Sequence, residues 1–262
     1  MTTKQLAGRS AVVTGSTSGI GRAIAERFAA EGANVMLNGF GDAAEIESLR
    51  AALEKSGVKA RYHAADMSKP AEIADLVRKA IEAFGAVDIL VNNAGIQHVA
   101  PIDAFPEDKW DAVIAINLSS AFHATKAALP GMKARRWGRV INMASAHGLV
   151  ASPNKSAYVA AKHGIVGFTK ATAVEVAEHN VRANAICPGF VHTPLVQKQI
   201  DDLAKQQGIS PERAKEILLA PQPTKEFVKV EEIAAMAVYL ASEAAAQVNG
   251  ASFVIDGGWT AR

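Results

Sequence analysis

Tyr158 and Lys162 stand four positions apart in Tyr158-Val159-Ala160-Ala161-Lys162. On a helix that spacing puts two side chains on one face with their Cβ atoms about 5 to 6 Å apart, which sets an ammonium beside a phenol. A free phenol, with a pKa of about 10, is a poor base near neutrality. A neighbouring cation favours the phenolate and lowers that value. Ser145 comes earlier, just after the apolar run Val140-Ile141-Asn142-Met143, which reads as a buried parallel strand. A hydroxyl at that strand's carboxyl end is placed to hydrogen-bond a substrate oxygen while Tyr158 takes or gives the proton. This is general acid-base chemistry at an alcohol or a carbonyl. The pair alone is weak evidence, because a half-buried tyrosine beside a solvated lysine is common, so its meaning depends on the elements around it.

Those elements alternate between strand and helix. Ala11-Val12-Val13-Thr14 predicts a strand, Gly15 to Gly21 a glycine-rich turn, and 22–31 a helix closed by Gly32. Further strands are expected at 34–38, 60–64, 87–91, 139–143, 181–187 and 252–255, with helices at 43–55, 70–84, 106–132, 156–178 and 230–242. The segment over about 191–228 is different. It is rich in Lys, Gln and Asp, holds Pro194, Pro211, Pro221 and Pro223, and shows short helical patterns with no strand. We read it as an insertion that acts as a substrate lid. No linker, repeat or low-complexity tract divides the chain, which predicts one domain over 1–262. Alternating elements imply an α/β fold with a parallel sheet covered on both faces, whose ligand site lies beyond the carboxyl ends of the strands.

The composition is that of an ordinary globular protein: 49% hydrophobic and 21% charged residues, with 28 Lys and Arg against 26 Asp and Glu. That balance gives no reason to expect a nucleic-acid partner. The densest basic run, Lys133-Ala134-Arg135-Arg136, reads as a helix C-terminus, where cations complement the dipole. No apolar stretch reaches the 18 or more residues a bilayer span needs, and no secretory leader pattern stands before the first strand. The lone cysteine, Cys187, reads as a buried thiol in a strand. Together these features predict a cytoplasmic protein. No residue grouping reads as a metal site.

The turn Gly15-x-x-x-Gly19-x-Gly21 lies between a strand and a helix, where glycine lets backbone amides approach a pyrophosphate at the helix N-terminus. Taken with Thr14, Asn92-Asn93-Ala94-Gly95, Asn117, Ser145, Tyr158-x-x-x-Lys162 and Pro188-Gly189, in this order and spacing, it resembles the short-chain dehydrogenase/reductase family over nearly the whole chain. The resemblance implies a single-domain Rossmann fold with a doubly wound, parallel seven-stranded sheet, a nicotinamide cofactor and a homotetramer. It implies a catalytic set of Asn117, Ser145, Tyr158 and Lys162, with Lys162 also holding the nicotinamide ribose and Asn117 keeping a water for proton relay. It puts the cofactor on Gly15, Thr17, Ser18, Gly19, Ile20, Gly21, Phe40, Asp66, Met67, Asn93, Ala94, Gly95, Tyr158, Lys162, Pro188, Gly189, Val191 and Thr193. For Asp66 a helix-entry role before Ser68 stands as the alternative, and for Thr193 a plain helix cap. The second strand ends in Asn38-Gly39-Phe40, without the carboxylate that selects NAD. No Arg or Lys stands there or in the turn before Gly19 to receive a 2′-phosphate either. The missing cation favours NAD.

The places that set substrate specificity hold Gln97, His98, His147, Lys155, Gln197 and Gln199. A lysine and a histidine with amide donors make a seat for a carboxylate, although each residue taken singly reads equally as a surface or packed position. The stretches Leu37 to Asp42, Asn93 to His98, Ser145 to Val150 and Asp256 to Arg262 are similar to one branch of the family, the bacterial D-3-hydroxybutyrate dehydrogenases. That likeness puts Gln97, Ser145, His147, Lys155, Tyr158, Phe190 and Gln199 at a small-molecule substrate, and its members use NAD. Phe190 stands where the branch commonly has tryptophan, which leaves room for a longer chain. Two rival expectations are an NADPH-dependent 3-oxoacyl-thioester reductase of the same family and a non-catalytic dinucleotide sensor. The latter is disfavoured because the tyrosine and lysine are both kept.

Overall fold

The computed structural model describes residues 4–261; Arg262, the last residue of the terminal run quoted above, lies outside them. Seven strands form one sheet: β1 (Ser10–Val13), β2 (Asn34–Asn38), β3 (Ala60–His63), β4 (Ile89–Asn92), β5 (Gly138–Met143), β6 (Val181–Pro188) and β7 (Ser252–Ile255). Their order is β3-β2-β1-β4-β5-β6-β7, and every pairing is parallel. The helices are α1 (Gly19–Ala30), α2 (Ala43–Glu54), α3 (Pro70–Phe84), α4 (Glu107–Ile114), α5 (Ser120–Arg135), α6 (Ser156–Val176), α7 (Pro194–Gln207), α8 (Pro211–Leu219) and α9 (Val230–Ala241). This is the α/β parallel sheet that the alternation of elements predicts, and the doubly wound, seven-stranded Rossmann fold that the family resemblance implies.

Strand side chains alternate between faces, and the core follows that rule. Ala11 and Val13 pack in a cluster with Ile24 and Phe28 of α1 and Ile233, Ala237 and Val238 of α9. Val12, between them, joins the opposite cluster with Ile73 and Leu76 of α3, Ala124 and Ala128 of α5, and Val176 of α6. Burial on both faces is why the strands read as continuous apolar runs. The order in which strands are added reverses at β1, growing outward to β2 and β3 on one side and to β4 and beyond on the other, so a crevice opens above the carboxyl ends of β1 and β4.

Several boundaries differ from the sequence reading, and three of them bear on the site. The expected helix over 106–132 is two helices, α4 and α5, joined by a π-helical turn over Ala115–Ser119. β3 stops at His63, so Asp66 lies in the loop beyond it. β6 runs through Pro188, which pairs with Ile255 at the sheet's margin, where the proline's missing N–H removes little from the ladder. The segment read as a lid contains α7 and α8, whose Val196, Ile200, Ala204, Ala214 and Leu219 form a small apolar cluster with Phe190 and Trp259. No helix among the described residues is long and apolar enough to cross a membrane.

Candidate active site

The glycine turn is tied to the start of the β4 loop. Thr14 Oγ1 accepts from the amides of Asn93 at 2.9 Å and Ala94 at 3.0 Å, and Asn93 Nδ2 donates to the carbonyls of Thr14 and Gly15. A side chain at Gly21 would bring its Cβ within 2.3 Å of the Gly15 carbonyl oxygen, so only glycine lets α1 start this close to the turn. Gly15 and Gly19 both have positive φ, at +61° and +55°. Above this floor lies a cavity of about 390 Å³. Every residue expected to hold the cofactor lines it except Gly21, which shapes the turn from beneath. The cavity and its glycine floor fit a dinucleotide, with α1's N-terminal amides facing the pyrophosphate position.

Asp66 lines the cavity, and its Oδ1 accepts from the amide and hydroxyl of Ser68. Thr193 likewise lines the cavity and caps α7 through the Val196 amide. Phe40 is 66% exposed on the rim. The carbonyl of Phe40 accepts from Thr17 Oγ1 at 2.8 Å, and the carbonyl of Gly39 accepts from Tyr62 Oη at 2.7 Å. Asn38 is fully buried and turned inward, accepting from the Gly15 amide and donating to the carbonyls of His63 and Ala65.

At the cavity's inner end α6 delivers Tyr158 and Lys162, and the loop after β5 delivers Ser145. Lys162 is only 4% exposed; its Nζ donates to the Met143 carbonyl at 2.7 Å and lies 5.5 Å from the Tyr158 ring centroid. Burial lowers its pKa to about 8. For Tyr158, burial raises the phenol pKa and the hydrogen bond with Ser145 partly opposes that rise. The two groups are neighbours, but the ammonium's hydrogen bond goes to a main-chain carbonyl, and burial holds the phenol above its ordinary value.

Asn117 sits in the π turn. Its Oδ1 accepts from the Ile96 amide at 2.7 Å and its Nδ2 donates to the Ile96 carbonyl at 2.8 Å. The role visible in this side chain is to fix the loop that carries Gln97.

The residues expected at the substrate fall into two groups. His147, Phe190 and Lys155 meet around Trp259. The His147 ring is edge-on to Tyr158 at 5.8 Å and to Trp259 at 4.9 Å, Phe190 stacks on Trp259 at 5.3 Å, and Lys155 Nζ lies 5.4 Å from the Phe190 ring. Gln97 Nε2 is buried and has no hydrogen-bond partner among the described residues. Gln199 is engaged elsewhere, its amide donating to the Leu195 carbonyl of its own helix at 3.4 Å. Gln197 is exposed and bonded to Asp201 and His192, and His98 is edge-on to Phe105. Burial, with Lys155 close by, lowers His147 to about 3, and burial lowers Lys155 to about 8. His147 is therefore a neutral hydrogen-bonding ring, with Nε2 2.9 Å from Ser152 Oγ. Sequence reasoning assigned no role to Trp259 or Ser152. The one available signal was a large aromatic directly after Gly257-Gly258 at the end of the terminal run.

A parallel sheet with a dinucleotide-sized cavity at its switch point, and a tyrosine, a lysine and a serine converging at the inner end, define a dinucleotide-binding oxidoreductase. The family model described as short chain dehydrogenase matches residues 9–204. A D-beta-hydroxybutyrate dehydrogenase of Cupriavidus necator is 60% identical over 258 residues, covering 98% of this chain and 100% of that protein. One of the same description from Rhizobium meliloti is 55% identical, covering 97% and 99%. Among solved structures, levodione reductase superposes with a TM-score of 0.90 at 35% identity, covering 98% of this chain and 99% of that one. The chain belongs to the short-chain dehydrogenase family and is an oxidoreductase, whose chemistry on a small molecule depends on a nicotinamide dinucleotide. Among the described residues no group of three or more His, Cys, Asp or Glu could hold a metal ion.

Proposed function

We propose that the protein catalyses the reversible NAD-dependent oxidation of D-3-hydroxybutyrate to acetoacetate. The observation that carries this reading is Lys155: a half-buried lysine with no carboxylate partner among the described residues, close to a neutral histidine, on a loop docked against the one that carries the unpartnered Gln97 amide. Burying a cation without a counter-ion is costly, and a substrate carboxylate removes that cost. The two relatives named for this substrate support the same choice.

In this mechanism Lys155 and Gln97 hold the carboxylate, and His147 offers a neutral ring nitrogen from the next loop. Gln199 reaches the substrate only by leaving Leu195, which we assign to closure of the lid over 191–228. When bound, the oxidised nicotinamide supplies the hydride-accepting carbon and a positive charge near the phenol. Tyr158 Oη, as phenolate, takes the hydroxyl proton from the oxygen on C3 while the Ser145 hydroxyl holds that oxygen in place. Lys162 holds the ribose and adds its charge to the phenolate's surroundings. Fixing the carboxylate chooses the face of C3 presented to the ring, and orientation of this kind lowers the barrier by several kcal/mol, up to about 7 to 11 in the best cases.

NAD is favoured over NADP because neither Thr17, Gly39 nor Phe40 supplies a cation, and a Cβ at Gly39 would meet Thr17 Oγ1 at 2.6 Å. The reading also includes a cytoplasmic homotetramer. The test compares turnover of D-3-hydroxybutyrate with NAD against turnover of an acetoacetyl thioester with NADPH. The first is expected to dominate, and dominant thioester reduction overturns the proposal. Tyr158→Phe is expected to lower kcat by about 10² to 10⁴ while dinucleotide binding, followed by fluorescence titration, persists.

A further inference from the structure

Helix α6 begins in a way that makes little sense for an isolated helix. Its N-cap residue is Lys155, whose side chain caps nothing, and no acidic residue stands in the first turn. A cation at a helix N-terminus opposes the dipole, and a lysine there leaves the first amides without the acceptor that Ser, Thr, Asp or Asn would provide. At the same place Ser156 Oγ is buried and has no hydrogen-bond partner, and Gln97 Nε2, from the loop after β4, is in the same condition. The two loops are docked: the Ala100 amide donates to the Asn154 carbonyl at 3.0 Å. Buried donors without acceptors are uncommon in native chains and call for an explanation. Here a cation, two orphan donors and an uncapped helix start all lack the same thing, an anion.

We propose that Ser156 is a further positioning residue for the substrate: its hydroxyl donates to the carboxylate held by Lys155 and Gln97, and that carboxylate completes the N-terminus of α6. The inference rests on the proposed function and names a residue outside the set expected from the sequence. It also ties recognition to catalysis, because the helix whose first turn meets the carboxylate carries Tyr158 two residues later. Substrate charge thereby fixes the end of α6 that presents the phenol.

The experiment uses the full-length enzyme with D-3-hydroxybutyrate and with its methyl ester, which keeps the reacting alcohol and lacks the anion. Ser156→Ala is expected to lower the acid-to-ester ratio of kcat/KM about tenfold, the size of a lost hydrogen bond to a charged group. The change should lie in the KM for the acid, with NAD affinity by fluorescence titration unchanged, and Ser156→Thr, which keeps a hydroxyl, should restore the ratio. Lys155→Ala is the control for the carboxylate seat. If Lys155→Ala collapses the ratio and Ser156→Ala does not, the role of Ser156 is refuted and the seat stands. If neither variant changes the ratio, the carboxylate reading itself fails. A loss in Ser156→Ala that is equal for acid and ester makes the hydroxyl a structural group and overturns the inference.

Discussion

Lys155 keeps its charge only over part of the accessible pH range. Burial lowers its pKa from 10.5 to about 8, so the ammonium is present below about pH 8 and lost above it. A bound carboxylate favours the charged form and raises the lysine's pKa in the complex. Linkage then requires affinity for the anion to be flat below about pH 8 and to weaken above it by up to about tenfold per pH unit, until the complex's own pKa is reached. The measurement is the inhibition constant of a small non-reacting carboxylate across that range, in wild type and in Lys155→Met. A flat wild-type profile would remove Lys155 from the anion seat. His147, lowered to about 3, stays neutral throughout and adds no inflection. Tyr158 is the converse case: burial holds the phenol above its ordinary value, which favours its protonated form. A spacing of four residues announces that a phenol and an ammonium are neighbours, but the Met143 carbonyl that accepts the lysine's hydrogen bond lies 19 positions upstream and was invisible from the helix alone.

The π turn between α4 and α5 is the element that sequence periodicity could not supply. A single π turn inserts into an otherwise continuous apolar pattern, so 106–132 reads as one helix. What the turn does is aim Asn117 at the Ile96 backbone, and that pairing joins residues 21 positions apart. Removing both bonds in Asn117→Ala leaves a part-buried amide and carbonyl to solvent, a loss of about 0.5 to 1.5 kcal/mol for each bond. The expected outcome is a lower Tm together with a KM for the hydroxy acid that rises more than the dissociation constant of NAD, because Gln97 follows Ile96 in the released loop. Equal changes in both constants would mean that the turn serves the whole cavity and not the substrate end. The strands and the glycine turn were legible because burial on both faces and positive φ leave local marks in residue type. The aromatic seat was not legible, because Phe190 and Trp259 come from separate segments that meet only when β6 and β7 pair. Gly21 was readable as part of the turn, but its purpose, clearance for the Gly15 carbonyl, required the folded backbone.

At the scale of the molecule, both faces of the sheet are covered, yet several large apolar side chains remain in solvent on the helices outside it. Phe122 of α5 is 47% exposed and lies edge-on to Phe168 of α6 with ring centroids 6.5 Å apart, while Val174 of α6 is 80% exposed. These exposed apolar groups on neighbouring helices are where the proposed homotetramer would seat a second copy of the chain. Closed symmetry makes such a contact self-complementary, the same patch serving both subunits. The consequence reaches the site, because α6 also carries Tyr158 and Lys162, so a subunit packed along it limits how far the phenol can drift from Ser145. Light scattering is expected to give four times the 27.5 kDa chain mass for the wild type. Phe122→Asp combined with Val174→Asp is expected to give smaller species, a lower Tm and reduced kcat, since a buried unpaired carboxylate is strongly unfavourable in an apolar contact. A monomeric wild type removes the assembly altogether. A double variant that keeps the wild-type mass moves the interface off α5 and α6 and leaves the steadying of Tyr158 to contacts within its own chain, those with Ser145 and His147 among them.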